Sequence, residues 1–203
     1  MILVVDLSYR PGSLSADEFV TPVGRIVRGG GFIPRIRHYT ALAREEIAHA
    51  DGAILCGTAL ADFGYLGGLK NFAWLASFPR PVLGICAGMQ VIARIHGGEV
   101  YPGAGIGMME QRVVAPDPLL PGRDRFAAYE LHGLGVIPPA TFLTLVVSPS
   151  GAQAIRHREK PVYGVMFHPE VRNEWLIRGF LSLCRPSGRS GDGLIGVEGE
   201  EGT

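Results

Sequence analysis

A chain of 203 residues, 47% of them hydrophobic, is long enough to bury a substantial core and short enough for one domain. Lysines plus arginines and aspartates plus glutamates number 19 each, for a formal net charge of zero, and no basic run is denser than Arg35-Ile36-Arg37-His38, which argues against a nucleic-acid binder. Three cysteines are too few for a secreted disulfide framework, and no apolar stretch reaches the ~18 residues of a membrane span.

Residues 2–5 form a β-branched and leucine run ending at Asp6, a first parallel strand, and the opening lacks the basic start of a signal peptide, so a cytoplasmic location is expected. A helix is predicted over 16–29, divided or started by Pro22, and a strand over 32–38 with an irregularity at Pro34. Residues 41–50 read as an amphipathic helix, 52–56 as a third strand and 66–78 as a helix. A fourth strand is expected at 81–85 and a helix at 87–96, closed by Gly97. This βαβα alternation predicts an α/β fold with a doubly wound, mostly parallel sheet. Beyond residue 98, short strand-like runs at 111–115, 141–147, 152–156 and 162–167 suggest a mixed, partly antiparallel second half. A last amphipathic helix is expected at 173–184, completing a domain over 1–185. Residues 186–203, with six glycines and few apolar groups, read as a disordered tail.

Gly84-Ile85-Cys86-Ala87-Gly88 follows the apolar Pro81-Val82-Leu83 and reads as a strand turning sharply into a helix, with a thiol at the corner. The flanking glycines let the backbone double back, and the unpaired N–H groups of the helix start favour thiolate. Alone, the pentapeptide also fits a buried core cysteine between turn glycines. The second motif is Val162-Tyr163-Gly164-Val165-Met166-Phe167 ending in His168-Pro169-Glu170. A histidine and a carboxylate two residues apart at a strand end suit a base and its orienter, with Pro169 stiffening the link. Together the two motifs nominate Cys86, His168 and Glu170 as a catalytic triad.

Pro81 to Gln90 and Tyr163 to Val171, with Ile92 to Val100 and Leu131-His132-Gly133, resemble the class I glutamine amidotransferases over about residues 1–184. The resemblance implies a flavodoxin-like architecture and hydrolysis of L-glutamine to glutamate and ammonia through a cysteinyl thioester, with no cofactor and no metal. It also implies two N–H donors for the developing oxyanion. Ala87 N–H is one. The other falls to Thr58 beside Gly57, where relatives carry a second glycine; a β-branched residue tolerates positive φ poorly, so this amide is expected to be misoriented at rest. Gln90, one turn after Cys86, and the backbone at Gly133 and Leu134 correspond to substrate contacts. Cys56 and Cys184 read as packing residues, and His132 as structural.

The chain lacks a Gly-x-x-x-x-Gly-Lys-Ser/Thr loop and a Ser-Gly-Gly-x-Asp-Ser loop, so the ammonia-accepting synthetase is expected on a separate subunit. Within the family, Glu159 to Val171 is most similar to the separate glutaminase subunit of GMP synthetase. The alternatives are an anthranilate-synthase-type glutaminase, a stand-alone γ-glutamyl hydrolase and a weakly active regulatory paralogue.

Overall fold

The computed structural model describes residues 1–185; the tail expected over 186–203 lies outside the described residues. One nine-stranded sheet runs through them, in the order β2-β1-β3-β4-β9-β8-β7-β5-β6. The first half comprises β1 (Ile2–Asp6), β2 (Pro34–His38), β3 (Gly52–Leu55) and β4 (Val82–Ile85), joined by β9 (Val162–Val165); its four pairings are parallel. The second half, β5 (Glu99–Val113), β6 (Arg125–Ile137), β7 (Phe142–Ser148) and β8 (Gly151–His157), is antiparallel and joins the first through β8 and β9.

Side-chain alternation along the buried strands supplies two cores. In β1, Ile2 and Val4 pack with Ile26 and Val27 of α1 (Thr21–Gly29) and with Ile177 and Phe180 of α5 (Glu174–Leu183). Leu3 and Val5 face the opposite core, with Phe72, Leu75, and Met89 and Ile92 of α4 (Ala87–Ile95). A strand buried on both faces must be apolar at successive positions, as 2–5 are.

Several expected boundaries shift. A π-helical turn, Ala16–Val20, precedes α1, and Pro22 sits in the first turn of α1, where its missing N–H leaves no bond broken. Of 41–50, only α2 (Arg44–Ala48) is α-helical, after a 3-10 turn at Tyr39–Ala41. Residues 66–78 are divided between the short α3 (Gly64–Gly67) and 3-10 turns over Leu69–Ala76; the Gly67-Gly68 pair interrupts the α-helical path.

The largest departure is the β5–β6 hairpin. Only 111–115 was expected of β5, and nothing of β6 as a strand. Glycines at 103, 105 and 107 hide the strand from a propensity reading. Two of them are there to admit partners: a Cβ at Gly105 would stand 2.1 Å from Glu130 Oε2, and one at Gly103 would stand 2.8 Å from the Tyr101 ring.

Candidate active site

Cys86 occupies the corner between β4 and α4. Its φ of 50° and ψ of −104° make it the one non-glycine residue with positive φ among the described residues. The strain falls on the cysteine itself, and the flanking glycines supply clearance rather than unusual dihedrals. A Cβ at Gly84 would lie 2.4 Å from the Gly88 carbonyl carbon, and one at Gly88 would lie 2.3 Å from the Leu55 carbonyl oxygen. The corner can therefore close only with glycine at both places. A backbone held in such a region typically costs about 1–3 kcal/mol and persists where the surroundings over-determine it; here the Cys86 N–H donates to the Val165 carbonyl at 2.7 Å.

His168 and Glu170 follow β9, which lies beside β4, so the two motifs meet at the carboxyl ends of adjacent strands. His168 is fully buried. Its Nδ1 hydrogen-bonds Glu170 Oε1 at 2.7 Å, its N–H donates to the Tyr129 carbonyl at 2.8 Å, and the Phe19 ring lies 5.2 Å from its centroid. Burial works against charge on this imidazole. The charge of the nearby Cys86, and then the hydrogen bond and charge of Glu170, outweigh it and hold the pKa well above the ordinary histidine value. His168 Nε2 makes no hydrogen bond, and the Cys86 thiol instead donates to the Leu131 carbonyl at 3.6 Å. The pair is thus adjacent and electrostatically coupled but not yet hydrogen-bonded, a loose arrangement common before substrate arrives.

Gly57 is the contact between these groups and β3. It has no positive φ; a Cβ there would stand 2.6 Å from His168 Cε1 and 3.5 Å from Cys86 Cβ. Gly57→Ala is therefore expected to displace the imidazole. It should destabilise the fold by about 1–3 kcal/mol through overpacking, and lower turnover about 10²-fold or more through misplacement. Thermal unfolding and steady-state kinetics read the two effects, and an alanine variant with wild-type kinetics would contradict this reading of Gly57.

Thr58 also avoids positive φ. Its side chain is buried and its hydroxyl donates to Asp62 Oδ2 at 2.8 Å. Ala87 begins α4, so its N–H is among the first-turn donors without an intrahelical acceptor. Gln90 lines the same cavity as Cys86. Its amide is already engaged: Oε1 accepts from the Tyr65 hydroxyl, and Nε2 donates to the Leu134 carbonyl at 3.3 Å and meets Met166 Sδ at 3.8 Å. The Leu134 carbonyl is thus occupied by Gln90, whereas Gly133 lines the cavity wall with Leu131 and His132.

Cys56 is fully buried. Burial first, then the charges of Glu170 and Asp6, push its thiol pKa well up, so it stays protonated. Burial likewise pushes Cys184 up to about 12.

Sequence reasoning missed three features. The free edge of β6 supplies the Tyr129 and Leu131 carbonyls that touch His168 and Cys86. Asp62 braces Thr58; its spacing before Gly64 was the available turn signal. A buried polar network lies along β5, β6 and β8. Glu130 accepts from Gln111 at 2.7 Å and pairs with His132 at 3.3 Å, and His132 Nδ1 reaches the Gly103 carbonyl at 3.1 Å. Burial alone would raise the Glu130 pKa, but hydrogen bonds from His132 and Gln111 outweigh it and lower it, so the carboxylate is charged.

The fold and this corner together define an α/β protein built on a strained strand–helix elbow, with a cysteine at its apex beside a buried histidine–carboxylate pair. Within that class, the sequence profile described as Glutamine amidotransferase class-I matches residues 26–175, about three quarters of the chain, and the chain belongs to that family. It is 36% identical over 145 residues to the glutamine-hydrolyzing GMP synthase subunit of Methanothrix thermoacetophila, covering 67% of this chain and 78% of that one. It is 33% identical over 161 residues to the Methanosarcina mazei protein of the same name, covering 75% and 82%. Its fold is similar to a crystal structure described as a putative GMP synthase subunit from Thermoplasma acidophilum, with a TM-score of 0.80, 25% identity, and coverage of 90% and 92%. It also matches a glutamine amidotransferase from Thermotoga maritima in fold, with a TM-score of 0.67 at 20% identity, covering 89% and 80%. No helix among the described residues is long and apolar enough to cross a membrane.

Proposed function

We propose that this chain is the glutaminase subunit of a GMP synthetase, hydrolysing L-glutamine and passing ammonia to a separate synthetase subunit. The observation that carries the pathway is its likeness to proteins named as glutamine-hydrolyzing GMP synthase subunits over two thirds or more of both chains. That likeness favours the GMP reading over the anthranilate-type one.

The chemistry follows from the site. Cys86 Sγ attacks the side-chain amide carbon of glutamine, and its proton passes to His168. The tetrahedral oxyanion accepts hydrogen bonds from the Ala87 and Thr58 N–H groups. His168 returns the proton to the leaving nitrogen, ammonia departs, and a thioester remains. Water, deprotonated by His168, attacks the thioester; glutamate leaves and the thiol is restored. Glu170 keeps the imidazole in the tautomer and orientation that this cycle needs.

The purified chain should release ammonia and glutamate one for one from glutamine, slowly when alone. It should support glutamine-dependent GMP formation when mixed with a GMP synthetase subunit. Stimulation by an anthranilate-forming enzyme instead would redirect the pathway, and hydrolysis of γ-glutamyl peptides in preference to glutamine would overturn the reading.

A further inference from the structure

The cavity beside Cys86 is about 10 Å³, room for about one water. Glutamine does not fit it, and Cys86 is 5% exposed. One wall is α4, with Cys86, Ala87 and Gln90; the other is β6, with Leu131, His132 and Gly133; the loop over residues 58–63 closes the remaining side. Leu60 in that loop reaches across to β6, within 3.8 Å of where a Gly133 Cβ would stand.

Asp62 holds this loop in place. Oδ2 accepts the Thr58 hydroxyl at 2.8 Å, Oδ1 accepts the Gly64 N–H at 3.2 Å, and the Asp62 N–H donates to the Ala59 carbonyl at 2.9 Å. Both carboxylate oxygens and the backbone are therefore committed to one loop shape. The brace is made of hydrogen bonds within the loop itself, between residues 58 and 64.

We infer that Asp62 is a positioning residue: it clamps Thr58, closes the loop over Cys86, and holds the Thr58 N–H for the oxyanion that forms on attack. Glutamine enters when the Asp62–Thr58 bond opens, and turnover needs that bond to re-form. This rests on the glutaminase reading for its catalytic half only; the closure is a property of the free chain.

The test uses the full chain and iodoacetamide, a small electrophile that needs no turnover, with the modified cysteine located by peptide mass spectrometry. A hydroxyl-to-carboxylate hydrogen bond in such a setting is worth about a factor of ten in the closed-to-open ratio. Asp62→Ala and Thr58→Val should each alkylate Cys86 about tenfold faster than wild type, with Cys56 and Cys184 unmodified. Thr58→Ser, which keeps the hydroxyl, should alkylate Cys86 at the wild-type rate, and the double variant should add nothing to the alkylation rate of either single one. In the same variants kcat should fall while KM does not rise. Unchanged Cys86 alkylation in both Asp62→Ala and Thr58→Val overturns the clamp. So does labelling that spreads to Cys56 and Cys184, which would mean general loosening. Faster alkylation with unchanged kcat overturns the positioning role. If the wild type itself hydrolyses no glutamine while alkylation responds as stated, the closure stands and the glutaminase reading fails.

Discussion

Cys86→Ala is expected to abolish glutamine hydrolysis while leaving the chain folded. In the proposed mechanism Cys86 is the nucleophile of a triad acting as a unit, and loss of such a nucleophile lowers kcat on the order of 10⁶-fold. The fold should survive because alanine keeps the same backbone restriction at φ 50° and removes one small buried sulfur, while Gly84 and Gly88 still let the corner close. Ammonia and glutamate release read the first effect, and thermal unfolding reads the second. An electrophilic glutamine analogue should add its mass to the peptide containing Cys86 in the wild type and to no peptide in the variant. Cys56 and Cys184 should stay silent, since burial keeps both protonated. Labelling at Cys56, or turnover persisting in Cys86→Ala, would remove Cys86 from the mechanism.

Replacing His168 should have nearly the same consequence as replacing Cys86, and the double variant should be little worse than either, because members of one catalytic unit are not additive. Glu170→Gln should be milder, with a loss of about 10⁴-fold in kcat, the scale of losing the carboxylate that fixes a triad histidine. The structure adds a pH dependence. The folded pKa of His168 lies well above the ordinary value; burial opposes this, and the Cys86 charge followed by Glu170 prevails. A histidine raised above its unfolded value of about 6.5 contributes stability that is complete below that pH and is lost as pH rises through the folded value. Glu170→Gln removes one of the groups that raise it, so its alkaline loss of stability should begin at lower pH than in wild type. Thermal unfolding across neutral to alkaline pH measures this. Coincident profiles for wild type and Glu170→Gln would show that the buried pair is not coupled as its 2.7 Å hydrogen bond implies.

By itself the sequence determined the class of this protein. The apolar runs at 2–5, 52–56 and 81–85 are each continuous over four or five residues, and such a local pattern survives in any tertiary setting, so the parallel half of the sheet was legible. The elbow was legible for the same reason: Gly84, Cys86 and Gly88 interact within five residues, and His168 and Glu170 within three. Their chemistry is local even though their meeting is not.

Only the tertiary structure decided how the site is walled, and the reason is separation along the chain. Glu130 and Gln111 are 19 residues apart, Gln90 and Leu134 are 44 apart, and Cys86 and Leu131 are 45 apart; pairings at such distances depend on sheet order and strand register. The glycines of β5 made that strand look like a loop, yet Gly105 is there to make room for Glu130 and His132 of β6, whose placement depends on the strand's partner and its register. Gly57 was noticed in the sequence as part of a loop, yet the imidazole 2.6 Å from its absent Cβ is contributed by a residue more than a hundred positions later. Thr58 looked like a misfit for want of a glycine. In the fold it has no positive φ and a carboxylate to hold, because Asp62, four residues on, turns back onto it and accepts its hydroxyl.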